Sequence, residues 1–156
     1  MFKYEGCGLP NVWLLDGYKI IETAYGRAVS IENIESLHKA IGLHLVGLPR
    51  RLTGSELRFL RKELNLSQKH LGNIVGRDPQ SIAIWEKTDG KLPKSAIGAE
   101  NFVRVLFSEH VIGNVNVKRF LDELCDLNNH EDNEEIAFHC NEYDEWSPRE
   151  YESLQA

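Results

Sequence analysis

Cysteine is scarce in this sequence. Only three of the 156 residues are cysteines, and they stand far apart at Cys7, Cys125 and Cys140. An odd, widely spaced set argues against a disulfide framework, and no two of them form the Cys-x-x-Cys pair that is typical of zinc sites. We therefore expect a reduced, cytoplasmic protein with no metal and no other cofactor.

Long apolar runs are lacking as well. The longest, such as residues 12–15, fall far short of the roughly 20 residues that a membrane-spanning helix needs. The opening residues, MFKYEGCG, contain no apolar core of a signal peptide, which favours the same cytoplasmic location. Phosphate-binding glycine loops, nucleophile elbows and paired Cys/His signatures are also missing, so we expect no catalytic residues and no enzyme.

Charge is present in abundance, but it is unevenly distributed. The net charge of the chain is −6, yet residues 50–94 hold ten Lys/Arg against five Asp/Glu. Residues 122–156 hold a single Arg against twelve Asp/Glu. A basic segment beside an acidic one indicates a nucleic-acid-binding module followed by a segment with a different task.

The N-terminal third predicts a small sheet followed by a helix. Residues 12–15 and 18–23 flank Asp16-Gly17, a pair suited to a two-residue hairpin turn, and residues 28–31 would add a third strand. Apolar residues then recur at helical spacing over 32–46. We expect this helix to cover one face of the hairpin and the first domain to span residues 1–48.

The basic segment predicts three short helices. Thr53 and Glu56 form a capping box that opens a helix reaching to about residue 64. Ser67 then caps a second helix that ends at Gly76, and Asp78 followed by Pro79 opens a third. We expect these last two helices to bury an apolar core, made of Leu71, Ile74, Ile82 and Trp85.

Two helices joined by a tight turn that contains glycine are typical of a helix-turn-helix. Here Leu66-Ser67-Gln68, Leu71, Gly76 and Trp85-Glu86 resemble the signature of phage-repressor-type (Xre) regulators. The resemblance implies an α+β protein in which the small N-terminal β-hairpin and helix precede a five-helix, lambda-repressor-like DNA-binding domain. It also implies a dimer that represses transcription from a palindromic double-stranded operator.

A narrower resemblance extends upstream. Residues 11–17 and 52–62 are similar to the regulators related to MqsA-type antitoxins, which join an N-terminal sheet domain to a helix-turn-helix. That group implies a dimer that represses its own operon and binds a toxin. Its two Cys-x-x-Cys pairs have no counterpart here, so zinc is not carried over.

The recognition helix would start at Pro79, because the first turn of such a helix reaches base edges in the major groove. Gln80 can bond the N6 and N7 of adenine, and an exposed Ile84 can meet a thymine methyl group. The expected base-contacting residues are Pro79, Gln80, Ser81 and Ile84.

Phosphate contacts should come from cations and from a helix N-terminus beside this helix. The resemblance assigns Gln68 to the DNA backbone, and the residues we add are Lys69, Arg77, Lys87 and Lys91. A role for Arg50, Arg51, Arg58 and Arg61 depends on their orientation. We expect Glu86 to pair with Arg58 or Arg61 rather than to touch DNA.

Two further helices are predicted over residues 97–110 and 117–127, completing a second domain at 49–128. Their surplus apolar side chains either form a dimer interface or close the core of one protomer. We assign dimerisation to Phe102, Leu106, Phe107, Phe120 and Leu124.

Residues 129–156 are expected to form an acidic, flexible tail. The leading hypothesis is a dimeric DNA-binding repressor. The alternative is an interaction protein of the antitoxin type, which would sequester a toxin through its N-terminal domain or its acidic tail.

Overall fold

The structure, a computed structural model, describes residues 1–113 and 135–149. It confirms the expected α+β class. Two compact units make up the chain, one formed by residues 1–41 with 133–156 and the other by residues 42–132. Within the described residues the elements are β1 (Phe2–Lys3), β2 (Val12–Leu14), β3 (Tyr18–Thr23), β4 (Gly26–Ile31), α1 (Ile34–Gly47), α2 (Gly54–Glu63), α3 (Gln68–Val75), α4 (Pro79–Glu86), a 3₁₀ turn (Lys94–Ala96), α5 (Ile97–Val111), β5 (Ile136–Cys140) and β6 (Trp146–Arg149).

The first unit contains a four-stranded sheet in the order β1-β2-β5-β6. β2 is antiparallel to β1 and parallel to β5, with Val12 opposite Ile136 and Leu14 opposite Phe138. All four of these side chains are buried. The central pairing of this sheet therefore joins two segments that lie near opposite ends of the printed sequence.

The expectation of a flexible tail over 129–156 is wrong for β5 and β6. Phe138 is fully buried, and the indole N–H of Trp146 donates to the backbone carbonyl of Glu32 at 3.0 Å. Burial of these apolar side chains outweighs the acidic composition that favoured disorder. Of the expected tail, residues 129–134 and 150–156 lie outside the described residues, as does the helix predicted over 117–127.

The hairpin predicted around Asp16-Gly17 is also wrong. β2 does not pair with β3; instead β3 pairs with β4 around a two-residue loop, Ala24-Tyr25. Gly17 does have a positive φ of 69°, but it serves packing, because a Cβ there would lie 2.7 Å from the ring of Trp146. Nearly every residue of β3 and β4 is exposed, so helix α1 does not cover this hairpin as expected.

The second unit is built around the interlocked helices α2 to α5. Its apolar core includes Leu57, Leu60, Leu71, Val103 and Phe107. The predicted capping box is confirmed: the Glu56 N–H donates to Thr53 Oγ1 at 3.3 Å, and the Thr53 N–H donates to Glu56 Oε2 at 3.4 Å.

A buried guanidinium holds the segment that enters this unit. Arg104, on α5, donates to the backbone carbonyls of Val46 and Leu48 at 3.0 and 3.1 Å and also bonds Glu100. Burial lowers the pKa of Arg104, and the neighbouring Glu100 carboxylate opposes that shift. One side chain thus satisfies backbone carbonyls that would otherwise be unpaired after α1 ends.

All helices of the described residues lie within 1–113. None of them is both long enough and apolar enough to cross a membrane.

Candidate nucleic-acid interface

Capping interactions fix both ends of α3. Ser67 Oγ accepts the backbone N–H of His70 at 2.9 Å, which caps the helix as expected. Gly76 ends it in the left-handed region, with φ 72° and ψ 36°. The N–H of Arg77 then donates to the carbonyl of Gly72 at 2.8 Å, the bond that closes a Schellman-type helix end.

Gly72 is a residue whose importance the sequence pattern did not reveal. A Cβ at this position would lie 2.5 Å from the carbonyl oxygen of Arg77. The turn after α3 is therefore folded tightly back onto the helix, which brings Asp78 and Pro79 into place as the start of α4. A glycine inside a helix is the signal that could have indicated this close approach.

The inward side of α4 is fixed by burial. Ile82 and Trp85 lie in the core, as predicted, and so does Leu71 on α3. Ile74, which we expected beside them, is exposed instead. An eight-residue helix offers room for few core positions, and in α3 the buried residues are Leu71 and Gly72.

A buried ion pair sets the orientation of α4 relative to α2. Arg61 Nε and one terminal nitrogen donate to the two carboxylate oxygens of Glu86 at 2.8 and 2.7 Å. This confirms the expectation that Glu86 pairs with Arg58 or Arg61 of α2, and the partner is Arg61. Gln68 Nε2 donates to the same carboxylate at 3.4 Å, so Glu86 also positions the side-chain amide that we expected at the DNA backbone.

The opposite side of α4 faces outward. Gln80 and Lys87 are exposed, Ile84 is 66% exposed, and Pro79 and Ser81 are half-buried. An amide, an apolar side chain and a cation thus share one open helix face. All four residues that the sequence assigned to base contacts belong to α4, and Gln80 and Ile84 are the two that are exposed.

The expected phosphate-binding cations differ in their exposure. Lys69, Arg77 and Lys87 are exposed, and Lys91 is half-buried. Arg77 is partly positioned, since its guanidinium carbon lies 5.8 Å from the centre of the Trp85 ring and one terminal nitrogen donates to the carbonyl of Ser95 at 3.4 Å. The sequence held no signal for either of these two contacts.

Three arginines of the basic segment are engaged inside the protein. Arg50 pairs with Glu56, Arg51 with Glu100 and Arg61 with Glu86, at 2.7, 2.5 and 2.7 Å. Of the four arginines whose role depended on orientation, Arg58 is the one that is exposed. Seven other basic side chains remain in residues 50–94: Arg58, Lys62, Lys69, Arg77, Lys87, Lys91 and Lys94.

The residues assigned to dimerisation do not form one exposed patch. Phe107 is only 2% exposed, and its ring packs where Gly42 leaves room, so its assignment to a dimer interface is wrong. Phe102 and Leu106 are half-buried. Phe120 and Leu124 lie outside the described residues.

A separate group of potential metal ligands lies in the first unit. Ligand atoms of Glu32, Cys140 and Asp144 all lie within 4.8 Å of one another. Burial raises the pKa of the Cys140 thiol, and the carboxylates of Asp144, Glu32 and Asp16 raise it further. A raised pKa disfavours the thiolate, which is the form that binds metal ions.

The face of α4 and the cations around it have the chemistry that duplex DNA requires, since side-chain amides read base edges and cations bind phosphate. Comparison with known proteins adds no family: no protein-family model, no curated protein and no solved structure matches this chain.

Proposed function

We propose that this protein is a sequence-specific DNA-binding transcriptional regulator, and that it acts as a repressor. In this proposal α3 and α4 form a helix-turn-helix of the Xre type, and α4 enters the major groove. The observation that carries the proposal is the open face of α4, where Gln80, Ile84 and Lys87 are exposed while Ile82 and Trp85 anchor the helix.

Base reading would depend on Gln80 and Ile84. Gln80 follows Pro79 in the first turn of α4, the part of a recognition helix that reaches base edges. A glutamine amide matches the donor and acceptor pattern of adenine, and the exposed Ile84 side chain suits a thymine methyl group. The proposed half-site therefore contains A·T pairs.

Phosphate binding would hold α4 in register. Arg77 follows α3 directly and is supported by the Trp85 ring, so less side-chain freedom is lost when it binds a phosphate. Lys69 and Gln68 stand in the first turn of α3, where backbone N–H groups favour an anion.

The proposed complex contains two copies of the chain. One helix in one groove buries too little surface for tight, specific binding, and two copies on a palindrome double the contacts.

The test is selection of bound sequences from random duplexes by the full-length protein, followed by titration of the selected site. Gln80→Ala should weaken binding to that site by about 5- to 150-fold, because a bidentate base contact is worth roughly 1–3 kcal/mol. Ile84→Ala should relax the preference at one base pair.

The matched control is Ile97→Ala, which removes the same type of exposed apolar side chain from α5 instead of α4. Enrichment of no palindrome, or unchanged affinity and preference in Gln80→Ala, would contradict the proposal.

A further inference from the structure

The hairpin of β3 and β4 has two different faces. Residues opposite each other in the register point to the same side, and successive residues alternate. One side, here called the Ile20 face, carries Tyr18, Ile20, Glu22, Arg27, Val29 and Ile31. The other, called the Ile21 face, carries Lys19, Ile21, Thr23, Gly26, Ala28 and Ser30.

The Ile20 face exposes apolar surface at its centre, whereas Tyr18 at one end packs against Phe2 with the ring centroids 5.2 Å apart. Ile20 is 54% exposed and Val29, its cross-strand partner, is 39% exposed. A two-stranded ribbon is marginally stable in water without packing against something else. Exposed apolar residues at the centre of such a ribbon indicate a contact surface.

The charges of this face narrow the choice of partner. Glu22 and Arg27 form an exposed cross-strand pair at 2.9 Å, so the tip carries one charge of each sign and no net charge. Nucleic acid and strongly charged proteins need a surface of one sign. A fitting partner is apolar at its centre and offers one anion and one cation at its tip.

We propose that the Ile20 face packs against the Ile20 face of a second copy of this chain. The two-fold axis runs parallel to the strands, between the two hairpins, so both tips point the same way. This inference concerns a surface in the first unit and does not depend on DNA binding.

The register makes this arrangement self-complementary. Within one hairpin, each β3 residue has a cross-strand partner on β4. A two-fold axis along the strands places that β3 residue opposite the same β4 partner residue of the second copy. Glu22 therefore faces Arg27 of the second copy, and Ile20 faces Val29 of the second copy. Charges of opposite sign meet, and the apolar residues meet each other.

The Ile21 face does not fit this arrangement. The same operation would place Lys19 over Ser30 of the second copy and Ile21 over Ala28, which leaves the cation without an anion opposite.

The proposed interface is small. Six residues per face are fewer than the roughly 20–30 per partner of a standard stable interface. We therefore expect a reversible, concentration-dependent dimer.

The first experiment measures self-association of the full-length protein by sedimentation equilibrium over a concentration series. Ile20→Lys should weaken dimerisation by about tenfold or more, because it buries an unpaired charge at the centre of the contact. Ile21→Lys is the matched control: it is the adjacent residue, 49% exposed, on the opposite face. It should change the dimer constant by less than about twofold.

Circular dichroism should show both variants folded, since both side chains are exposed in the protomer. A wild-type protein that stays monomeric at every concentration overturns the proposal. A dimer that survives Ile20→Lys also overturns it, because self-association would then use another surface, such as Phe102 and Leu106 on α5. An equal loss of dimerisation in Ile20→Lys and Ile21→Lys overturns the assignment of the contact to the Ile20 face.

The second experiment exchanges the tip charges. Glu22→Arg alone and Arg27→Glu alone should each be monomeric, because like charges would then face each other across the axis. An equimolar mixture of the two variants should form a 1:1 heterodimer, which native mass spectrometry resolves. Failure of the mixture to associate would contradict the proposed direction of the two-fold axis. DNA titrations of the same samples test the regulator proposal separately.

Discussion

The ion pair between Arg61 and Glu86 shows how a single side-chain pair can position the helix that we propose binds DNA. Both groups are buried, and two parallel hydrogen bonds join them. Such a pair contributes little net stability over an apolar replacement, but losing one partner leaves an uncompensated buried charge. The bidentate geometry instead fixes the rotation of α4, and hence the direction in which Gln80 and Ile84 point.

Glu86→Ala should therefore lower the free energy of unfolding by about 3–5 kcal/mol, as measured by urea denaturation. The double variant Arg61→Met/Glu86→Leu should recover most of this loss, since no buried charge remains. Asp89→Ala, which removes an exposed carboxylate nearby, should change stability by less than about 0.5 kcal/mol. Equal effects of Glu86→Ala and Asp89→Ala would show that the pair is not buried in solution.

Gly54 illustrates a steric requirement at the start of α2. A Cβ at this position would lie 2.7 Å from the carbonyl oxygen of Thr88 and 2.9 Å from that of Glu86. Gly54→Ala should cost about 1–3 kcal/mol, because the end of α4 would have to move.

Gly98, inside α5, gives the opposite expectation, since among the described residues a Cβ there meets nothing within 4 Å. Gly98→Ala should therefore stabilise the protein by about 0.5–1 kcal/mol. Thermal unfolding compares the two variants directly, and a stabilised Gly54→Ala would refute the close packing of α2 on α4.

At the scale of whole elements, the helices of the second unit were predictable because their signals are local. The capping box at Thr53, the cap at Ser67 and the left-handed Gly76 each act within four residues of a helix end. The outward position of Ile84 followed from the burial of Ile82 and Trp85. Periodicity was a weaker guide in short helices, and Ile74 is the residue that it misplaced.

The sheet was not predictable in the same way. Asp16-Gly17 has the composition of a hairpin turn, but Gly17 is needed beneath Trp146, a residue far along the chain. Whether β2 pairs with β3 or β5 depends on apolar side chains that meet only in the folded unit. The many acidic residues around β5 and β6 concealed these apolar side chains in a count of composition. Such a count does not distinguish the buried side of a strand from its exposed side.

Phe138 provides the test of β5 as a central strand. Phe138→Ala should lower the free energy of unfolding by about 3–5 kcal/mol, because the ring is fully buried opposite Leu14. Tyr143→Ala alters an exposed aromatic residue in the turn between β5 and β6 and should have little effect. If both variants kept the stability of the wild type, this strand would not be part of the folded sheet in solution.

For the molecule as a whole, the basic segment is less cationic at its surface than its composition suggests, because three arginines are used in internal ion pairs. The buried glutamates they engage are removed from the surface as well. The exposed cations that remain flank α3 and α4 or lie on α2. An overall charge of −6 is therefore compatible with the locally basic face that we propose for DNA binding.

The salt dependence of DNA binding should report these cations individually. In a plot of log affinity against log salt concentration, Lys69→Ala and Arg77→Ala should each reduce the steepness of the slope by about 0.9, the value for one lost phosphate contact. Lys39→Ala, which removes an exposed cation from α1, should leave the slope unchanged. If all three variants showed the same slope as the wild type, phosphate binding would have to be assigned to other residues.

The parallel pairing of β2 with β5 has a consequence for how the protein is made. Val12 meets Ile136, so the whole second unit is synthesised between the two strands that form the centre of the first sheet. At about 5–20 residues per second, the ribosome exposes β1 and β2 several seconds before β5, the second partner of β2, emerges. Contacts of such high sequence separation also form slowly. The helical unit is therefore expected to fold first, during translation, while the apolar strands of the other unit still lack their neighbours and depend on chaperones for protection.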